Sequence, residues 1–309
     1  RPVARIRKGL VPAMLLLIAL VAPAHGDGPG FQSASSVEEV RRFIAALPDD
    51  DWWLTVTGDS MAWLHKNVHR VLPTVNVYRE GPVRPLQRRE RAEIGSALVT
   101  TGKGQISFED FLSSDQSTVM GIVMLHQGHI VYERYPRQLA YEKPIYWSVS
   151  KVLVSAVVSI FEDRGHIDLE QAIETYLPKL AGSSFAGVTV RNILDMATGL
   201  DCPEDYENRS SCYYTYSKTV GEGYFTPTDP DNPYVFASAL DVGRFAEQGT
   251  SYSYSGLNTF ILGWLVEEIA GMPFQDVFSR EIWQLIGAEG DASFLAPRFG
   301  VPIMHGGFM

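Results

Sequence analysis

Ser148-Val149-Ser150-Lys151 is the only place in this 309-residue sequence where a serine stands three residues before a lysine. A serine hydroxyl is a poor nucleophile until a base removes its proton, and a lysine amine becomes such a base when desolvation lowers its pKa. In a helix, residues i and i+3 share a face, so the spacing lets the amine reach the hydroxyl. The pattern alone says little, since roughly one such pair arises by chance in a chain of this length. A second candidate, Tyr254, lies in Gly249-Thr250-Ser251-Tyr252-Ser253-Tyr254-Ser255-Gly256. A tyrosine on a loop entering a helix can relay a proton, although most of the 14 tyrosines serve packing or surface roles. His65 and His69, four apart, could share a helix face and bind a metal. With no acidic third ligand apparent, a structural role is the stronger reading.

The elements that must position Ser148 are legible around it. Val119 to Leu125 is a β-branched and aliphatic run, His126-Gln127-Gly128-His129 a turn, and Ile130 to Tyr135 a returning strand. The extended segment Ile145-Tyr146-Trp147 then leads into a helix predicted over 149–164 and stopped by Gly165. Apolar residues on nearly all its sides predict a buried central helix. A shorter helix is predicted from Asp168 to Tyr176, ended by Pro178. Another is capped by Thr189 and closes at Gly199, and helical periodicity returns over 259–270. Ser36-Val37-Glu38-Glu39 reads as a further helix start. The polar, aromatic-rich stretch 201–233 reads as a long surface loop, and 50–118 carries little recognisable chemistry. Strands followed by helices without βαβ alternation predict an α+β fold.

The ends and the bulk composition set the setting. Basic residues Arg1 to Lys8, an apolar run from Gly9 and Ala22-Pro23-Ala24 describe a signal peptide over 1–24, or an uncleaved anchor, followed by a flexible linker over 25–36. The expected location is therefore secreted or periplasmic in a bacterium, with membrane contact only through that segment. The first residue is Arg, so the chain is read as lacking its start. Export permits a disulfide, and Cys202 and Cys212, the two cysteines, either form one or remain separate thiols. A net charge of -10 without a basic stripe argues against nucleic-acid binding.

Taken in order, these residues resemble the serine β-lactamase/penicillin-binding-protein superfamily, in its class C-like branch of esterases, carboxypeptidases and 6-aminohexanoate-dimer hydrolases. The resemblance runs from the hairpin near Val119 through Trp147-Ser148-Val149-Ser150-Lys151 and Tyr176-Leu177-Pro178. It continues through Val188-Thr189-Val190-Arg191, Asp195-Met196-Ala197-Thr198-Gly199-Leu200, Gly249-Thr250, Tyr254-Ser255 and Leu262-Gly263. It implies a β-lactamase-like fold over 119–309, an antiparallel sheet flanked by helices with a mostly helical lobe and a cleft between, plus an N-terminal extension over 37–118 that packs on it. It implies that Ser148 is acylated, with its backbone N–H supplying half the oxyanion hole. Lys151 would be the general base and Tyr254 the proton donor to the leaving group, with no metal or organic cofactor.

Many members have Asn where Gly256 stands. The small residue and Glu204-Asp205-Tyr206 resemble the 6-aminohexanoate-dimer hydrolase/esterase branch, implying a small amide or ester substrate with Tyr206 and Gly256 near it. An exposed loop tyrosine is the alternative for Tyr206. A third motif, Lys-Thr-Gly or His-x-Gly, follows a segment like His305-Gly306-Gly307-Phe308-Met309 in the family, so the resemblance implies a domain incomplete at its C-terminus. Two other functions remain open: a β-lactamase or D-Ala-D-Ala carboxypeptidase, and a catalytically silent binding homologue.

Overall fold

Backbone twist and one glycine set the first element of the site. Ile122–His126 and His129–Arg134 pair antiparallel, with His126 opposite His129, so only Gln127 and Gly128 form the turn. Both have positive φ, +49° and +75°, the conformation that a two-residue turn of this hand requires. The computed structural model describes residues 33–309 apart from Asp231, and Ser35–Met309 forms one unit. The expected signal peptide and most of the expected linker lie outside the described residues.

The fold is α+β. Its strands are β1 (Thr74–Val77), β2 (Gln87–Arg88), β3 (Leu98–Thr101), β4 (Gly104–Ser107), β5 (Ile122–His126), β6 (His129–Arg134) and β7 (Ala292–Leu295). They form three small sheets among the described residues: β1–β7, β2–β6–β5 and the β3–β4 hairpin. All pairs are antiparallel except β2–β6. β1 belongs to the stretch 50–118, and its Val77 is fully buried in the main core beside Val68. This region is thereby built into the domain. Further upstream, the helix Val37–Ala45 begins with the capping box that Ser36 and Glu39 predict.

Helix burial differs from the sequence reading in an instructive way. The helix apolar all round is Gly256–Ala270, in which every residue from Gly256 to Val266 is buried. The Ser148 helix, Lys151–Asp163, buries Val154, Val157, Val158 and Phe161 but leaves Val152 58% exposed, as is Val149 (62%) just before it. Its predicted all-round burial is thus corrected: one face meets the core and one the surface. The predicted helix over 168–176 is only a single 3₁₀ turn, Ile173–Thr175. Its backbone groups bond across to the Val188–Arg191 segment instead: Ile173 N to Val188 O, and Val190 N to Gln171 O. Long-range pairing overrides local periodicity here. Thr189 caps Val190–Leu194 as expected, accepting from Asn192 N.

The stretch 201–233 is not simply a surface loop. Ser211 caps a helix, Cys212–Val220, whose Tyr213, Tyr214 and Tyr216 are buried. Their hydroxyls find partners inside, so the polarity that suggested a loop belongs to a polar core. Cys202 and Cys212 form a disulfide with Cα atoms 5.3 Å apart, tying the start of this helix to the segment after Leu200. Closing so short a loop removes denatured-state entropy worth about 2–3 kcal/mol. Reduction is therefore expected to lower the urea midpoint correspondingly in paired denaturation curves; coincident curves would show that the tie carries no stability.

Candidate active site

Ser148 sits where an extended segment becomes a helix, and the join is strained. Trp147 has φ +46°, a left-handed conformation that costs a non-glycine residue about 1 kcal/mol or more. Packing holds it: the Trp147 ring meets Trp53 edge-on at 4.5 Å and His65 at 5.5 Å between ring centres. One residue upstream of Tyr146, Ile145 N donates to His65 O. The expected structural role of His65 is thus to pack on Trp147 and anchor the approach to Ser148. His69 lies in the 3₁₀ turn Val68–Arg70, and burial lowers the pKa of both histidines. Among the described residues, no group of three His, Cys, Asp or Glu is placed to hold a metal ion.

From that join Trp147–Ser150 forms a 3₁₀ turn running directly into the helix beginning at Lys151. The Ser148 side chain is exposed, at the end of a helix where developing negative charge is favoured. Lys151 Nζ lies 2.9 Å from Ser148 Oγ and donates a second bond, 3.0 Å, to His305 O. It also stands 4.6 Å from the centre of the Tyr254 ring. Ser148, Lys151 and Tyr254 are therefore one cluster, with Tyr254 presenting its ring face to the amine.

The Ile303–Met309 segment closes the site from the other side. Tyr146 N donates to Phe308 O at 2.8 Å, and Phe308 N to Ser150 Oγ at 3.2 Å. Leu295 N donates to Gly307 O, and Ser293 exchanges two bonds with Met309, so the same segment is laid along β7. The turn bearing Ser148 is thus pinned to this segment by a backbone bond at Tyr146 and by the Ser150 hydroxyl.

Tyr206 and Gly256 occupy the neighbouring layer. The Tyr206 hydroxyl donates to Glu204 Oε1 at 2.8 Å and lies 3.2 Å from the Tyr213 hydroxyl. Burial, followed by the charges of Glu222 and Glu204, raises its pKa well above the usual phenol range, so it stays protonated. It is half-buried rather than an exposed loop residue. The other oxygen of Glu204 accepts from Gly256 N at 2.6 Å, an anion on the first turn of the Gly256 helix. Gly256 itself is buried. A Cβ there would stand within contact distance of the Tyr213 hydroxyl and 2.6 Å from His305 Cδ2. The space next to Gly256 is filled by protein.

Sequence reasoning missed three residues of this layer. His305 is buried, with Nε2 3.0 Å from Glu222 Oε2 and Nδ1 3.0 Å from the Tyr216 hydroxyl. Glu222 and Tyr216 both lay in the supposed loop 201–233, so nothing local marked either one. Gly256→Ala is expected to lower stability by about 1–3 kcal/mol through overpacking, read from urea denaturation. A variant as stable as the parent would show that Tyr213 and His305 readily give way.

The profile of the Beta-lactamase family matches residues 108–299. The 6-aminohexanoate-dimer hydrolase of Paenarthrobacter ureafaciens is 29% identical over 248 residues, 79% of this chain and 60% of that protein. A Beta-lactamase of Providencia stuartii is 26% identical over 142 residues, covering 45% of this chain and 31% of that one. The chain thus spans less than two thirds of the length of either curated relative. Among solved structures, a Bacillus anthracis protein described as a candidate 6-aminohexanoate-dimer hydrolase superposes with a TM-score of 0.72 at 19% identity. That match covers 85% of this chain and 68% of the other, and shows a shared fold.

Proposed function

Because the chain belongs to the beta-lactamase family, we propose that it is a serine hydrolase that cleaves a small amide or ester through an acyl-enzyme on Ser148, in the manner of the 6-aminohexanoate-dimer hydrolase/esterase branch. The observation that carries this reading is the 2.9 Å contact between Lys151 Nζ and Ser148 Oγ at an exposed helix start. In the reaction Lys151 takes the Ser148 proton as the hydroxyl attacks the carbonyl carbon. Tyr254, against the Lys151 amine, passes a proton to the departing amine or alcohol, and water then releases the acid. The Ser148 N–H, at the positive end of the helix, faces the developing oxyanion.

The substrate class rests on the space around Gly256. A β-lactamase or D-Ala-D-Ala carboxypeptidase of the kind considered above uses an amide side chain at this position. Here Tyr213 and His305 take up the room that such a side chain needs. Tyr206, protonated and with its one O–H donated to Glu204, would meet a substrate donor through its oxygen or would first have to release Glu204. The disulfide supports the secreted or periplasmic location suggested by residues 1–24. No described helix is long and apolar enough to cross a membrane.

A fluorophosphonate probe is expected to label Ser148, and Ser148→Ala to abolish both labelling and hydrolysis. Lys151→Ala should slow labelling by about 10²-fold or more, the usual worth of a positioned base. A folded protein that remains unlabelled would support the catalytically silent homologue instead. Short-chain p-nitrophenyl esters should be hydrolysed and nitrocefin spared; the reverse pattern would transfer the protein to the β-lactamase side.

A further inference from the structure

Building on the reading of Ser148 and Lys151 as the reacting pair, we propose that Glu222 and Tyr216 are positioning residues for Lys151, acting through the ring and carbonyl of His305. The Lys151 amine hangs on a four-carbon stem with many rotamers. Its bond to Ser148 alone leaves much of that freedom, because the Ser148 hydroxyl is itself free to turn. The second bond, to His305 O at 3.0 Å, selects one rotamer if that carbonyl stays fixed. His305 lies in a turn that the Gly306 and Gly307 N–H groups close on Ile303 O, while the His305 carbonyl itself points to Lys151.

The ring adds a side-chain anchor to those backbone bonds. Its two nitrogens are each 3.0 Å from a partner, Glu222 Oε2 and the Tyr216 hydroxyl. The His305 and Glu222 side chains are 1% and 4% exposed. A carboxylate buried so deeply persists only against a hydrogen-bonding partner, so the pair resists separation. Both partners ride on one rigid unit. Tyr216 belongs to the helix Cys212–Val220, and the N–H groups of Glu222 and Gly223 both donate to Ser217 O, folding the following turn back onto that helix. Glu222 and Tyr216 bond to the His305 ring, and the His305 carbonyl bonds to Lys151, so their effect runs through the backbone of a third residue.

Competitive acetylation with acetic anhydride tests this without requiring turnover. Peptide mass spectrometry compares the rate at Lys151 with that at exposed Lys179 in the same folded protein. In Glu222→Ala the relative rate at Lys151 is expected to rise about fivefold, the equivalent of one ordinary hydrogen bond. In Glu222→Gln, whose amide oxygen still accepts from a ring N–H, the rate should stay close to that of the parent. Tyr216→Phe keeps the buried ring, gives an intermediate rise, and serves in place of Glu222→Ala if that variant does not fold. Parental Lys151 rates in the folded Ala and Phe variants would overturn the proposal, as would an equal rise in the Gln variant. Fluorophosphonate labelling of the parent, run alongside, reports separately on the hydrolase reading. An unlabelled Ser148 with the expected Lys151 response removes that reading and upholds the positioning role.

Discussion

The absence of a side chain at Gly256 is the constraint on which the site depends. Three separate segments converge on this one backbone position: Tyr213 from the disulfide-tied helix, His305 from the segment along β7, and Glu204 from the loop after Leu200. A single added carbon would separate them. Because the Gly256 helix is buried along most of its length, it cannot retreat to make room. Packing at this point therefore decides whether the two halves of the polar network can meet.

Across that junction the chemistry is divided between exposed and buried groups. Ser148 is open to solvent, whereas His305, Glu222, Tyr213 and Tyr216 are not. Burial keeps the tyrosine hydroxyls protonated, which preserves them as donors in the low-dielectric layer. Lys151 stands at the boundary, bonded outward to Ser148 and inward to the His305 carbonyl. Rigidity comes from the dry side, and the Ser148 hydroxyl is presented on the wet one.

Sequence reasoning reached the features whose causes are local. Ser148 and Lys151 are three residues apart, Ser36 and Glu39 likewise, and the turn at Gln127-Gly128 is two residues long. In each case neighbouring residues determine the geometry. It failed where distant pairing decides. The 168–176 segment has helical spacing, yet its N–H and C=O groups bond to residues near Val188. The tyrosines of 213–216 look solvent-loving in sequence, but their partners, including Asp51 and His305, stand far along the chain. Glu222 and His305 are 83 residues apart, and neither flank signals the other. The fold class and the closeness of Ser148 and Lys151 were thus readable, while the layer behind them was not.

The position of Trp147 places two demands on whatever residue precedes Ser148. It must accept a left-handed backbone, and it must fill the angle between Trp53 and His65. Glycine meets the first demand and leaves the second unmet; valine or isoleucine adds apolar bulk but resists positive φ. Asparagine tolerates the backbone yet brings a polar amide into an aromatic corner. Substitution at this position is consequently narrowed by two unrelated filters at once, and few side chains pass both. Variation next to Ser148 is thus restrained by conformation and shape, independently of any chemistry at that serine.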